Sequence, residues 1–413
     1  MDFLEIYNSK LCSAEEAVKL VKDGDWVDYS QTMSFPVALD RALAARRDEL
    51  RDINVRGAIS MYPVQVVEQD PDGKAFTYNP WHCSGLDRKY VDMGRAFYTP
   101  MLFRHCGRYY ERGYAKVNVA MVTVAPMDRH GYFSYGLTNC AQQELIDAAD
   151  YVIVEVNPNM PYIVGLEADS IHVSQVDRIV ENDTPFTHSK PVSVSEIDRQ
   201  IAANIFPYLE DGITLQLGIG GMPNALGALI AESDLKDLGM HTELMSDGYL
   251  TLYQAGKITN TKKELNRGKG IFGICNGSQE LYDFLDHNIS ILSAPMRYIN
   301  DPAVIRQFSK FVSINGCIAF DLYGQVCSET AGLRHISGTG GQLDFVTGAF
   351  EAEHGKAFLA TASTFTDKKG ETHSNILPHF TRGDVITTPR TQAPYMVTEY
   401  GVANLSGLTT WQR

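Results

Sequence analysis

Short apolar runs of strand length alternate along this chain with segments whose apolar residues recur at helical spacing. The runs "YVIVEV" (151–156), "KFVSIN" (310–315) and "KAFLATAS" (356–363) are strand-like, whereas "AQQELIDAA" (141–149) is helical. This alternation predicts an α/β fold in which mostly parallel sheets are covered by helices. "SAEEAVKL" (13–20) opens with an S-x-x-E capping box, which predicts an early helix ahead of the first strand. "DTPFTHSKPVSVSEIDRQI" (183–201) is rich in turn formers and proline before it turns helical. It reads as a linker that divides the chain into domains 1–185 and 186–413.

The pattern also repeats. "KDGDWVDYSQTMSFPVALDRALAAR" (22–46) aligns with "EDGITLQLGIGGMPNALGALIAES" (210–233) across one gap. Each starts with an Asp-Gly turn, runs through apolar residues into a loop, and continues with Pro at a helix start, where its missing N–H is tolerated. "DELRDINVRGAIS" (48–60) matches "SDLKDLGMHTELMS" (233–246), and "VAPMDRHGYFSYG" (124–136) matches "IAFDLYGQVCSET" (318–330), both built on D-x-x-G. Three correspondences in one order predict a duplicated α/β unit.

Two glycine-rich loops stand out in the second half. "LQLGIGGMPNAL" places Gly218, Gly220 and Gly221 between a strand and a helix, where main-chain N–H groups can approach an anion or a developing oxyanion. The same pattern also makes a plain tight corner. It lacks the phosphate-loop lysine signature, which removes support for nucleoside triphosphate binding. "SGTGGQLDF" (337–345) offers a second possible anion nest around Gly340 and Gly341. Between them, Glu243 interrupts the strand-like run "MHTELM". A carboxylate in a buried parallel strand marks a site near the strand's carboxyl end, or else it faces solvent on an alternating strand. His241 shares its strand face and either tunes it or is an ordinary satisfied core histidine. Glu155 in "EVNPN" is a rival strand-borne acid without a glycine-rich neighbour, and reads as structural.

Composition narrows the partners. With 413 residues the chain exceeds what one core usually serves, in keeping with two domains. Fifty acids against 36 bases give a net charge of −14, which disfavours nucleic acid and anionic membranes but not a small anionic ligand held by backbone amides. The N-terminus shows no secretory signal and no run is long enough to span a membrane, so a cytoplasmic location is expected. Seven scattered cysteines without a C-x-x-C pair read as reduced thiols, and the eleven histidines form no ligand-spaced group, so no metal site is expected.

The ordered motifs "LQLGIGGMPNAL", "LGMHTELMSDG", "YINDPAVI", "GQVCSE", "SGTGGQLDFVTGA" and "MVTEYGVANL" resemble the acetyl-CoA hydrolase/transferase family, most closely its 4-hydroxybutyrate and butyryl-CoA:acetate CoA-transferases. "VAPMDRHGYFSYG" and "EVNPNMP" extend the resemblance over nearly the whole chain. It implies two tandem related CoA-transferase-type domains and an enzyme that exchanges coenzyme A between a short acyl-CoA and a small carboxylate such as acetate. Coenzyme A is then a substrate, with no permanently bound cofactor. Glu243 matches the family's covalent nucleophile, and Gly218, Gly220, Gly221, Gly340 and Gly341 match site-lining loops that supply oxyanion donors and room for the thioester arm. Asn300 matches a residue that positions the nucleophile, although an Asn there could equally cap the helix "DPAVIRQF". Gln342 either contacts the intermediate or caps its own loop. Gln31 matches a polar residue facing the acyl pocket. A homodimer or higher homo-oligomer is implied as well.

Two stretches depart from the family pattern. The match ends at "LSGLTTWQR", where relatives continue into a helical tail, so a missing C-terminal piece is expected. The aromatic-rich "YNPWHCSGLDRKYVDMGRAFYTP" (78–100) varies among relatives and leaves the acyl group undefined. Competing readings are a hydrolase of the same family, a non-catalytic ligand sensor, and a phosphosugar isomerase that would act without CoA. The order loop, Glu243, loop and the lack of a DNA-binding appendage speak against the sensor.

Overall fold

The computed structural model describes residues 2–188, 193–392 and 395–413. The middle of the expected linker, residues 189–192, lies outside them. Beyond it, Ser195 caps the helix Glu196–Ile205 in a reciprocal box with Asp198. The chain forms two compact units, one made of residues up to 188 plus 273–297, the other of residues 193–272 plus 298 onward.

The first unit is built on a six-stranded sheet in the order Phe76–Pro80, Ile53–Gly57, Trp26–Tyr29, Val117–Val124, Ala149–Val156, Arg178–Glu181. All its pairings are parallel. The central strand "VNVAMVTV" is buried at every position but Asn118, as expected where helices cover both faces. The second sheet contains the run Gly270–Cys275, Gly239–Met245, Thr214–Leu217, Phe311–Gly316, Lys356–Ala360, Tyr395–Thr398, closed by the antiparallel Gly401–Asn404.

With the second sheet's two edge strands, Ile291–Ser293 and Gly401–Asn404, set aside, both sheets read third, second, first, fourth, fifth, sixth strand in chain order, so the duplication predicted from sequence is present in the topology. It reaches into side-chain detail. After each fourth strand, an aspartate accepts from the amides two and four residues on: Asp128 from His130 and Tyr132, Asp321 from Tyr323 and Gln325. The glycine of each D-x-x-G turn sits in the left-handed region, with φ of +86° at Gly131 and +85° at Gly324. Among the described residues no helix is long and apolar enough to cross a membrane, and all seven cysteines are free thiols.

Candidate active site

The second unit's first two strands run parallel only as far as Met240 opposite Leu215. Thr214 and Gly218 donate to Lys310 and Ile314 on one side, so the alternation of a parallel strand turns Leu215 and Leu217 toward the Gly239–Met245 strand. Leu215 still pairs in that ladder, and a continued one would next bond Leu217. Instead the buried Tyr249, from the helix Asp247–Gln254, inserts its hydroxyl: Leu217 N–H donates to it at 2.7 Å and it donates to Leu215 C=O at 3.3 Å. The phenol satisfies the Leu217 N–H where the pairing of the two strands has ended, just before Glu243. Such a split at the carboxyl end of a parallel sheet is where α/β folds make room for ligands.

Glu243 retains partial solvent access within this opening. Its Oε2 accepts from Asn300 Nδ2 at 2.5 Å. Desolvation raises its pKa to about 7, and the Asn300 hydrogen bond opposes that rise. Gly341, at the start of the helix Gln342–Glu351, lies so close that a Cβ there would overlap both Glu243 Oε2 and Asn300 Nδ2. Only glycine lets the positive end of this helix approach the carboxylate. Glu243, Asn300 and Gly341 therefore form one tight cluster.

The raised pKa makes a stability prediction. Below about pH 4.5 the carboxyl is neutral in folded and unfolded chains, so it adds no penalty. The penalty grows as pH rises from the unfolded value toward 7 and is complete above that. Glu243→Gln should thus stabilise the fold at pH 8 by on the order of 2–3 kcal/mol and lose that advantage near pH 4, as thermal melts at the two pH values would report.

The three glycines of the first loop stand in different surroundings. Gly218 donates its N–H to Ile314 C=O at 2.8 Å, so this amide belongs to the sheet. A side chain at Gly218 would press on Asn315 Oδ1, whose amide is paired with Gln216 and Ser313. Gly221 faces Asp198 closely, and Gly220 takes φ +119° with open space around it. Ile219, between them, is 62% exposed.

Asn300 is fully buried, and its Oδ1 has no partner among the described residues. It does not cap the following helix. Asp301 does so, accepting from Ala303 N–H at 2.9 Å. Gln342 uses its carboxamide within the protein, accepting from Ser328 Oγ at 2.8 Å and donating to Thr388 Oγ1 at 3.0 Å. Gln31 lies buried in the first unit after the strand Trp26–Tyr29, and its carbonyl accepts from Thr138 Oγ1. Glu155 holds the start of the helix Val37–Ala45 through the amides of Ala38 and Leu39, both at 3.0 Å, and accepts from Asn182. Sequence reasoning missed Tyr249, Asn315, Ser328 and Thr388, none of which carries a local signal. It also missed Asp367, Glu371 and His373, which gather on an exposed hairpin where Asp367 bonds the turn's own amides.

Two related, mostly parallel units, with the partly enclosed Glu243 carboxylate at the split of the second, accord with the CoA-transferase class to which the family models and relatives assign the chain. Residues 1–188 match the acetyl-CoA hydrolase/transferase N-terminal domain and residues 277–413 its C-terminal domain, and the chain belongs to this family. It is 45% identical over 415 residues to the butyryl-CoA:acetate CoA-transferase of Anaerostipes caccae, covering 100% of this chain and 93% of that protein. It is 38% identical over 414 residues to the 4-hydroxybutyrate coenzyme A transferase of Clostridium kluyveri, covering 100% and 94%. The crystal structure of RipA from Yersinia pestis superposes with a TM-score of 0.91 at 34% identity, covering 100% of this chain and 94% of that one.

Proposed function

We propose that this acyl-CoA:carboxylate CoA-transferase exchanges coenzyme A between a short-chain acyl-CoA, such as butyryl- or 4-hydroxybutyryl-CoA, and a small carboxylate such as acetate, with Glu243 as covalent nucleophile. The relatives' activities support the substrate class. The cluster of Glu243, Asn300 and Gly341 carries the residue assignment. A homo-oligomeric, cytoplasmic enzyme, with Gln31 facing the acyl group, belongs to the same proposal.

In the first step a Glu243 carboxylate oxygen attacks the thioester carbonyl. The C–S bond breaks, leaving an acyl-glutamyl anhydride and CoA thiolate. The thiolate then attacks the glutamyl carbonyl, releases the first carboxylate, and forms a glutamyl-CoA thioester. The incoming carboxylate runs both steps in reverse and departs as the new acyl-CoA. Two covalent steps replace one difficult exchange. Asn300 serves the second step: if Oε1 is the attacking atom, Oε2 becomes the glutamyl carbonyl oxygen, and the charge that develops on it meets a donor already at 2.5 Å. The start of the helix Gln342–Glu351 and the loop after Gly218 supply further amides around the reacting carbon.

The nucleophile must be ionised, so kcat/KM for the acyl-CoA should fall about tenfold per pH unit below an apparent pKa near 7. A stopped pH series of initial rates checks this. The reaction itself is tested by incubating butyryl-CoA with and without acetate. Transfer yields acetyl-CoA and butyrate only when acetate is present. Free thiol released at the same rate without acetate would indicate the hydrolase reading.

A further inference from the structure

His241 sits two residues before Glu243 on the same strand and is completely buried. It packs against Tyr298, Phe308 and Phe311, with ring centroids 6.0, 4.9 and 6.2 Å away. Its Nε2 lies 2.8 Å from the carbonyl oxygen of Ile299. That carbonyl can only accept, so the ring is held with its proton on Nε2. Nδ1 has no partner among the described residues. Burial, and after it the neighbouring Lys263, whose Nζ donates to the carbonyls of Met240 and Lys269, disfavours a second proton on the ring.

The next residue after Ile299 is Asn300, whose amide holds Glu243 Oε2. The histidine bond thus closes a loop: strand, imidazole, Ile299 carbonyl, Asn300 amide, and back to the strand at Glu243. We infer that His241 is a positioning residue, fixing through the Ile299 carbonyl the peptide that aims Asn300 at Glu243. Asn300 needs such a tether. Its backbone lies between the short helices Met296–Ile299 and Pro302–Ile305, and Asp301 has already taken the capping position. A one-residue rotation of this junction would carry the amide away from the carboxylate, and misplacement by about 1 Å at a reacting group lowers rates on the order of 100-fold.

This inference rests on the proposed role of Glu243, and its test separates the two. His241→Phe keeps an aromatic ring and removes the donor. Its kcat should fall on the order of 10- to 100-fold with KM nearly unchanged, and the acid limb of its pH profile should move to higher pH, because a hydrogen bond favouring the ionised carboxylate is weakened. His241→Gln, whose amide reaches about as far as Nε2, should recover most of the rate, and the shorter His241→Asn should not. In an Asn300→Ala background the His241→Phe change should have almost no further effect. If the phenylalanine variant does not fold, the Gln and Asn pair, which differ only in reach, carry the decision.

Multiplicative effects of His241 and Asn300 changes, or equal activity of the Gln and Asn variants, would overturn the inference while leaving Glu243 as nucleophile. If the unaltered enzyme incubated with butyryl-CoA alone leaves Glu243 unmodified, the proposed function and the inference both fall.

Discussion

Glu243→Asp will abolish measurable CoA exchange while the protein folds and melts much as before. Aspartate keeps the charge but withdraws the carboxylate by one methylene, about 1 Å from its productive position. The same withdrawal stretches the 2.5 Å hydrogen bond from Asn300, so the group loses its aim and its donor together. A loss of roughly 1000-fold or more in acetate-dependent turnover is expected, comparable to removing a covalent nucleophile from other group-transfer enzymes. Coupled assays of acetyl-CoA formation measure it, with thermal melts as the folding control. Turnover within tenfold of the parent would show that another group forms the covalent intermediate.

Gly341→Ala is the second change with a large expected effect. The added methyl would overlap Glu243 Oε2 and Asn300 Nδ2, and neither can retreat easily, because Asn300 is buried and Glu243 is anchored in a strand. The helix Gln342–Glu351 must then back away, or the two side chains must separate. Either response removes a donor from the site, for which a loss of about 100- to 1000-fold in kcat is typical. Gly227→Ala is the matched control. In the middle of the helix Gly221–Glu232 a methyl meets only Gly248, at an ordinary 3.7 Å. It should leave turnover unchanged and stabilise the helix by about 0.5–1 kcal/mol.

The contrast between those glycines marks what the sequence could and could not reveal. The fold was legible because each unit repeats the same grammar, down to the aspartate–glycine turns at Asp128 and Asp321. Glu243 stood out as a candidate as well, since a charge inside an otherwise apolar strand conflicts with its surroundings. Roles that depend on where an amide or carbonyl ends up were not. Gly218 and Gly220 look equivalent in "LGIGG", yet the first gives its N–H to Ile314 and the second turns into the left-handed region. Asn300 and Asp301 are adjacent potential caps, and only the geometry shows that aspartate takes the cap and asparagine takes the carboxylate. Tyr249 reads as a core aromatic, and nothing local announces that its hydroxyl replaces a rung of the sheet.

The most direct measurement is mass analysis of the peptide carrying Glu243 after incubation with butyryl-CoA and no acceptor. The account predicts that this peptide gains the mass of coenzyme A, less water, at Glu243, and that acetate or hydroxylamine removes it. An active enzyme whose Glu243 stays unmodified, or whose adduct maps to a different residue, would contradict it.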